Sequence, residues 1–239
     1  MFDKKILVVF GDSNVWGAEL QGAPGQQDDF ISAVYDPKDI KNCPYHIRHS
    51  FPGVMAESAN MKILNLAIPG CSNDTIFRRV NKFVQGNYAV DLTDCAVLIF
   101  WTGNSRREFY MRDYYFNYSP TWPSKFQAHK TFHKIYRRDI WNEKFDLNKT
   151  FNYIFSIGPL LQHYDIWFRQ GFSIENIELS KLVKTYNISN FLSYRYKDSI
   201  HSIIGSKGKQ FQMPLLHPNE RGHKLIAEKY IAMIEKGLV

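Results

Sequence analysis

The sequence predicts an α/β fold organised around a parallel β-sheet, and three observations carry that reading. Ile6–Phe10 and Cys95–Trp101 are continuous apolar runs rich in branched residues, the signature of strands buried on both faces, and Lys62–Leu66 reads as another strand between them. Segments with helical spacing separate these strands, which implies crossover connections and hence parallel pairing. Each strand runs into a small polar loop: Gly11-Asp12-Ser13, Pro69-Gly70 and Thr102-Gly103-Asn104-Ser105. Ligands of such sheets bind beyond the carboxyl ends of the strands.

The elements follow in order. Pro52–Asn60 is a short helix. Ser72–Gly86 is a second, with Ile76, Val80, Phe83 and Val84 at helical spacing and Ser72 or Asn73 as its N-cap. Residues 105–150 break the alternation and read as an insertion into a single domain spanning 1–239. Phe151–Arg169 is expected to be helical, interrupted at Gly158-Pro159. Ser173–Tyr186 is a clearer helix with Ser173 as N-cap, and Asn190–Tyr194 reads as a fourth strand. The last helix starts at Pro218-Asn219-Glu220 and carries Leu225, Ile226, Tyr230 and Ile234 on one stripe.

Composition narrows the function classes. Near-average glycine and proline contents exclude collagen-like and low-complexity chains, and no apolar run reaches the 18 residues of a membrane helix. Three cysteines, Cys43, Cys71 and Cys95, form no disulfide framework and point to a reducing compartment. With too short an apolar stretch at the N-terminus for a signal peptide, the protein is expected to be made in the cytoplasm. The net charge of +7 favours anionic partners, and residues 105–150 hold ten basic against five acidic side chains together with twelve aromatics. That mixture suits sugar rings and acidic groups, or a lid with its own small core; nucleic acid is the weakest reading because only charge and aromatics suggest it.

The strand ends carry the chemistry. Ser13 offers a hydroxyl at the mouth of the first strand, which needs a base to become a nucleophile. Gly70 lets a backbone N–H approach a ligand closely. Asn104 offers a side-chain amide to a developing oxyanion, and His217 stands at the entrance of the last helix. Nucleophile, oxyanion donors and base are what acyl transfer requires. No dinucleotide fingerprint, P-loop or Cys-x-x-Cys pair is present, so neither a cofactor nor a metal is expected.

At these residues the chain resembles the SGNH (GDSL-type) hydrolases. Four blocks occur in order: Val9-Phe10-Gly11-Asp12-Ser13, Asn65-Leu66-Ala67-Ile68-Pro69-Gly70, Trp101-Thr102-Gly103-Asn104, and His217-Pro218-Asn219-Glu220-Arg221-Gly222-His223. The resemblance implies a three-layer, flavodoxin-like α/β/α sandwich with about five parallel strands, and ester hydrolysis through an acyl-enzyme. By position, Ser13 is the nucleophile, His217 the base, and Ser13 N–H, Gly70 N–H and the Asn104 amide form the oxyanion hole. Arg106, Arg107 and Asn73 are the candidate substrate-binding residues, with both arginines facing the mouth. The expected substrate is a small ester or an acylated glycan, acidic ones included. The stretches Gly70–Ile76 and Trp101–Phe109 look most like variants encoded by tailed bacteriophages, which implies virion proteins as partners. The alternative is a degraded scaffold that binds glycan or a virion component.

The sequence departs from the family pattern twice. Thr102 and Ser105 replace the Gly and Asp that flank the third block's Asn, and Pro214 stands where the family places an Asp three residues before the catalytic His. His217 is therefore expected to work without a carboxylate on Nδ1, as a Ser–His dyad, and His223 to lie on the helix surface.

Overall fold

The structure is a computed structural model and describes residues 3–20, 33–111, 114–120, 130–174, 176–188, 190–193, 195–213 and 217–236. In chain order the elements are β1 (Ile6–Phe10), α1 (Ser13–Trp16), α2 (Tyr45–His49), α3 (Phe51–Ser58), β2 (Lys62–Asn65), α4 (Asn73–Val84), β3 (Cys95–Trp101), β4 (Arg107–Met111), β5 (Tyr114–Tyr118), α5 (Lys130–Ile135), α6 (Glu143–His163), β6 (Trp167–Phe172), α7 (Ile177–Thr185), α8 (Ile200–Gly205) and α9 (Glu220–Glu235).

Among the described residues four strands, against the five or so expected, form the parallel sheet in the order β2-β1-β3-β6. Alternate residues of the central strands feed two cores. Val8, Phe10, Val97, Ile99 and Trp101 pack with α4, α6 and α7 on one face. Leu7, Val9, Ala96, Leu98 and Phe100 pack with α3, α8 and α9 on the other. The result is the expected α/β/α sandwich. From β1 the chain steps outward to β2 and then returns to β3 on the opposite side of β1. The strand order reverses between β1 and β3, so their carboxyl ends frame the crevice where doubly wound sheets bind ligands.

Three elements differ from expectation. Of the segment Asn190–Tyr194, the described residues make a single parallel bridge, Phe191 to Gln170. Asn190 adopts a left-handed backbone (φ 66°), which excludes it from an extended strand, and Tyr194 lies outside the described residues. The helix expected to break at Gly158-Pro159 runs unbroken through both, and ends at His163. Pro159 and Phe155, whose carbonyl loses its donor, both lie on the exposed side, where water can replace the missing bond. Trp167–Arg169 belongs to β6 instead. Finally, α7 starts at Ile177 with Asn176 as its cap, because the Ser173 hydroxyl is committed elsewhere, as described below.

The segment after β3 is not a loose loop. The antiparallel hairpin β4–β5 docks on the first turns of α4 and α6 through charged groups. Arg78 grips Glu108 with two bonds, 2.6 and 2.8 Å long, and the Glu108 N–H donates to Asp74 Oδ2. Phe109, Tyr118, Phe132 and Tyr136 pack edge-to-face into a small aromatic core beneath it. Arg107 does not face the mouth. Its Nε donates to the fully buried Asp146 Oδ1 at 2.6 Å, and its guanidinium covers the rings of Tyr136 and Phe145. Burial pushes the Asp146 carboxyl up, and Arg107 is its closest compensating charge. Removing it leaves the buried carboxylate with Lys149 alone, 3.8 Å away. Arg107→Ala is expected to cost about 3 kcal/mol, measured by urea unfolding; a loss below about 0.5 kcal/mol, the size of an ordinary surface substitution, contradicts this account.

Candidate active site

The site grows out of β1. Asp12 caps the one-turn helix α1, its Oδ1 accepting from Asn14 N–H, and places Ser13 at the first helical position. Gly11 is required there, since a methyl group on it would come within 2.4 Å of Val15 Cγ2. Gly17 closes the turn at φ 86°, against the His46 carbonyl. The next bend holds Glu19 in the left-handed region, φ 67°, a conformation a side chain disfavours and its surroundings must impose.

That bend aims Glu19 at His217. Glu19 Oε2 lies 2.8 Å from His217 Nδ1, and His217 Nε2 lies 2.9 Å from Ser13 Oγ. A carboxylate only accepts, so Nδ1 carries the proton and Nε2 is left as acceptor for the Ser13 hydroxyl. The dyad expectation is thus corrected: a carboxylate does reach Nδ1, from the loop that follows Ser13 rather than from the segment before the histidine. Pro214 itself lies outside the described residues. His217 and Glu19 are 23% and 18% exposed, so the pair is partly withdrawn from water while Ser13 stays reachable.

Asp12 organises the floor beneath Ser13. It is fully buried and accepts from three directions: Asn14 on α1, Ser173 Oγ at the β6 exit (2.6 Å), and Thr102 Oγ1 at the β3 exit (2.7 Å). Arg106 Nη1 stands 3.6 Å from the same carboxylate and donates to the Cys71 carbonyl. Arg106 therefore sits behind Ser13 as an internal counter-charge to Asp12 rather than projecting from the mouth. Thr102, one departure from the family pattern, contributes a bond that a glycine cannot make. Asn73, expected to bind substrate, is 1% exposed and clamps α4 to the β3 exit: its Nδ2 donates to the Thr102 carbonyl and Thr150 Oγ1, and its Oδ1 accepts from Thr102 N–H. Both ends of the amide are used internally.

Gly70 occupies a turn at φ 74° beside the β1 exit, where Cys71 Sγ lies 3.2 Å from the Gly11 carbonyl. Among the described residues, neither Ser13 N–H nor Gly70 N–H has an acceptor. The Asn104 side chain makes no bond to a described residue and lines a cavity of about 540 Å³ at the same edge of the sheet.

His217 is held from behind by the first turn of α9. Asn219 caps it, and Gly222 packs so closely that a methyl group there would meet the Phe211 carbonyl at 2.4 Å. His223 is fully buried rather than on the surface. Its Nδ1 accepts from Phe51 N–H, which joins α9 to α3, and burial pulls its pKa down to about 3. His46, buried against Trp16, is lowered by burial to about 4. Both imidazoles fold neutral, whereas the unfolded chain takes up their protons below about pH 6.5. The unfolded state then binds more protons, so stability falls as the pH drops from about 6.5 towards 4. Urea midpoints should decline over that window and stay level for His46 and His223 above pH 7; a flat response from pH 7 to 4.5 contradicts the assignment.

No family model matches the chain, and no curated protein does. Solved structures do. A lipolytic protein of the G-D-S-L family from Veillonella parvula superposes with TM-score 0.51 at 13% identity, covering 97% of this chain and 99% of that one. An acetylxylan esterase from Geobacillus stearothermophilus, crystallised as a catalytic mutant, gives 0.54 at 11% identity over 98% and 96%. TesA gives 0.57 at 8% identity over 97% and 99%. The chain has the fold of the G-D-S-L lipolytic proteins over essentially its whole length.

Proposed function

We propose that the protein is a serine hydrolase of carboxylic esters. The observation that carries this reading is the continuous chain from Ser13 Oγ through both nitrogens of His217 to Glu19, with two bonds of 2.9 and 2.8 Å. Ser13 Oγ attacks the ester carbonyl carbon while His217 Nε2 takes its proton. Glu19, bound to Nδ1–H, holds the ring in the productive tautomer and stabilises the imidazolium that forms. The carbonyl oxygen, now negative, accepts from Ser13 N–H and Gly70 N–H, with the Asn104 amide as third donor. His217 then protonates the leaving alcohol, and water repeats the sequence in reverse to release the acid. No cofactor enters any step.

An acetyl ester of a glycan is the substrate class we favour, since acetylxylan esterases are among the proteins sharing this fold over their full length. The assembled nucleophile, base and carboxylate favour an enzyme over a degraded virion scaffold. The test is turnover of 4-nitrophenyl acetate by the wild-type protein with His217→Gln as control. Steady release of nitrophenol that the variant loses by more than about a hundredfold supports the reading, that being the low end for a general base; equal rates overturn it.

A further inference from the structure

We propose that the cavity beside Asn104 is the alcohol-side subsite and that it takes a neutral, hydroxyl-rich group such as a sugar ring. This inference rests on the esterase reading above. The cavity lies on the β3–β6 side of the nucleophile. Asn104 is two residues beyond Thr102, and Asn176 three beyond Ser173; the hydroxyls of Thr102 and Ser173 both bond to Asp12, next to Ser13. At no more than about 3.6 Å per residue, those walls are within about 11 Å of the Asp12 network.

The outer wall is the first turn of α6, where Asn142, Glu143, Lys144 and Leu147 line the space, and Glu178 of α7 faces it. Asn142 and Asn176 spend their Oδ1 atoms on capping, accepting from Phe145 N–H and Leu179 N–H. Their Nδ2 groups make no bond to a described residue, and neither do the side chains of Glu143 and Lys144. Free amide donors beside carboxylate acceptors suit hydroxyls, each of which donates and accepts. Leu147 and the stem of Lys144 supply the apolar surface that the C–H face of a sugar covers. Lys181 Nζ binds Glu178 Oε1 at 2.9 Å, so two carboxylates meet two ammonium groups at this wall, and the balanced charge suits a neutral ligand although the net charge of the chain favours anions. The arginines that prompted the acidic-substrate expectation are both bound internally.

The test uses two variants that leave the catalytic residues alone. Asn142→Asp/Asn176→Asp keeps both capping oxygens and removes the free donors. Glu143→Ala/Glu178→Ala removes the acceptors from exposed positions. For each, kcat/KM on mono-O-acetylated cellotriose should fall about tenfold, the loss of one to two hydrogen bonds, while 4-nitrophenyl acetate changes less than about twofold. Equal changes on both substrates overturn the subsite. Calorimetric binding of the same trisaccharide to the Ser13→Ala protein gives an independent reading: the Glu143→Ala/Glu178→Ala change should weaken it about tenfold. If the wild type hydrolyses no ester, the esterase reading fails, yet this binding arm still decides the subsite. Tighter binding of a uronic-acid-containing trisaccharide than of the neutral one also overturns the proposal.

Discussion

Ser13→Ala is expected to reduce ester turnover by roughly 10⁴-fold or more, because loss of a catalytic nucleophile leaves only binding and oxyanion stabilisation. The same change should leave the fold untouched. Ser13 contributes one partly exposed hydroxyl bonded to His217, and α1 is positioned by Asp12, Gly11 and Gly17 rather than by that hydroxyl. A stability change within about 0.5 kcal/mol is therefore expected. Retention of a tenth of wild-type activity would remove Ser13 from the mechanism. A collapse in stability together with activity would show that the hydroxyl serves the fold.

The second large effect belongs to Glu19. Replacing it by alanine leaves His217 Nδ1 to water, and the imidazolium loses its counter-charge at the moment it forms. In a serine protease the equivalent loss costs about 10⁴ in kcat; with the carboxylate here 18% exposed, a drop of about 10³ is expected. KM should stay within about threefold, since Glu19 acts on the transition state and not on the substrate. Glu19→Asp should recover only part of the rate, as the shorter chain cannot span from the left-handed bend to Nδ1 without moving it. If Glu19→Ala keeps more than about a third of the wild-type kcat, well short of the usual loss, His217 works as a dyad after all.

How much of this was legible in the sequence follows from what each signal depends on. Strands β1 and β3 were plain because both faces are buried, so apolarity is continuous and no register needs guessing. The four blocks were legible on other grounds, since each lies at a strand exit or helix entrance, and the fold brings the side chains of Ser13 and His217 together there. Glu19 was not legible. It follows a glycine and an alanine, looks like any surface carboxylate, and matters only because a left-handed bend turns it 198 positions along the chain to His217. Ser173 read as a helix cap because local sequence cannot reveal that its hydroxyl is taken by Asp12, and Asn176 caps instead. Arg106 and Arg107 carried charge that composition assigns to the surface, while the fold spends one on Asp12 and the other on Asp146. His223 was misplaced because a polar residue on a stripe of α9 gives no sign that α3 will offer it Phe51 N–H.

The most direct test of the central claim, that Ser13, His217 and Glu19 form one catalytic unit, is to treat the protein with a serine-directed alkyl phosphonate and locate the adduct by peptide mass spectrometry. The account predicts a single adduct on Ser13 in the wild type, formed far more slowly in both His217→Gln and Glu19→Ala. An unlabelled Ser13, an adduct on another residue, or labelling rates indifferent to His217 and Glu19 would contradict it.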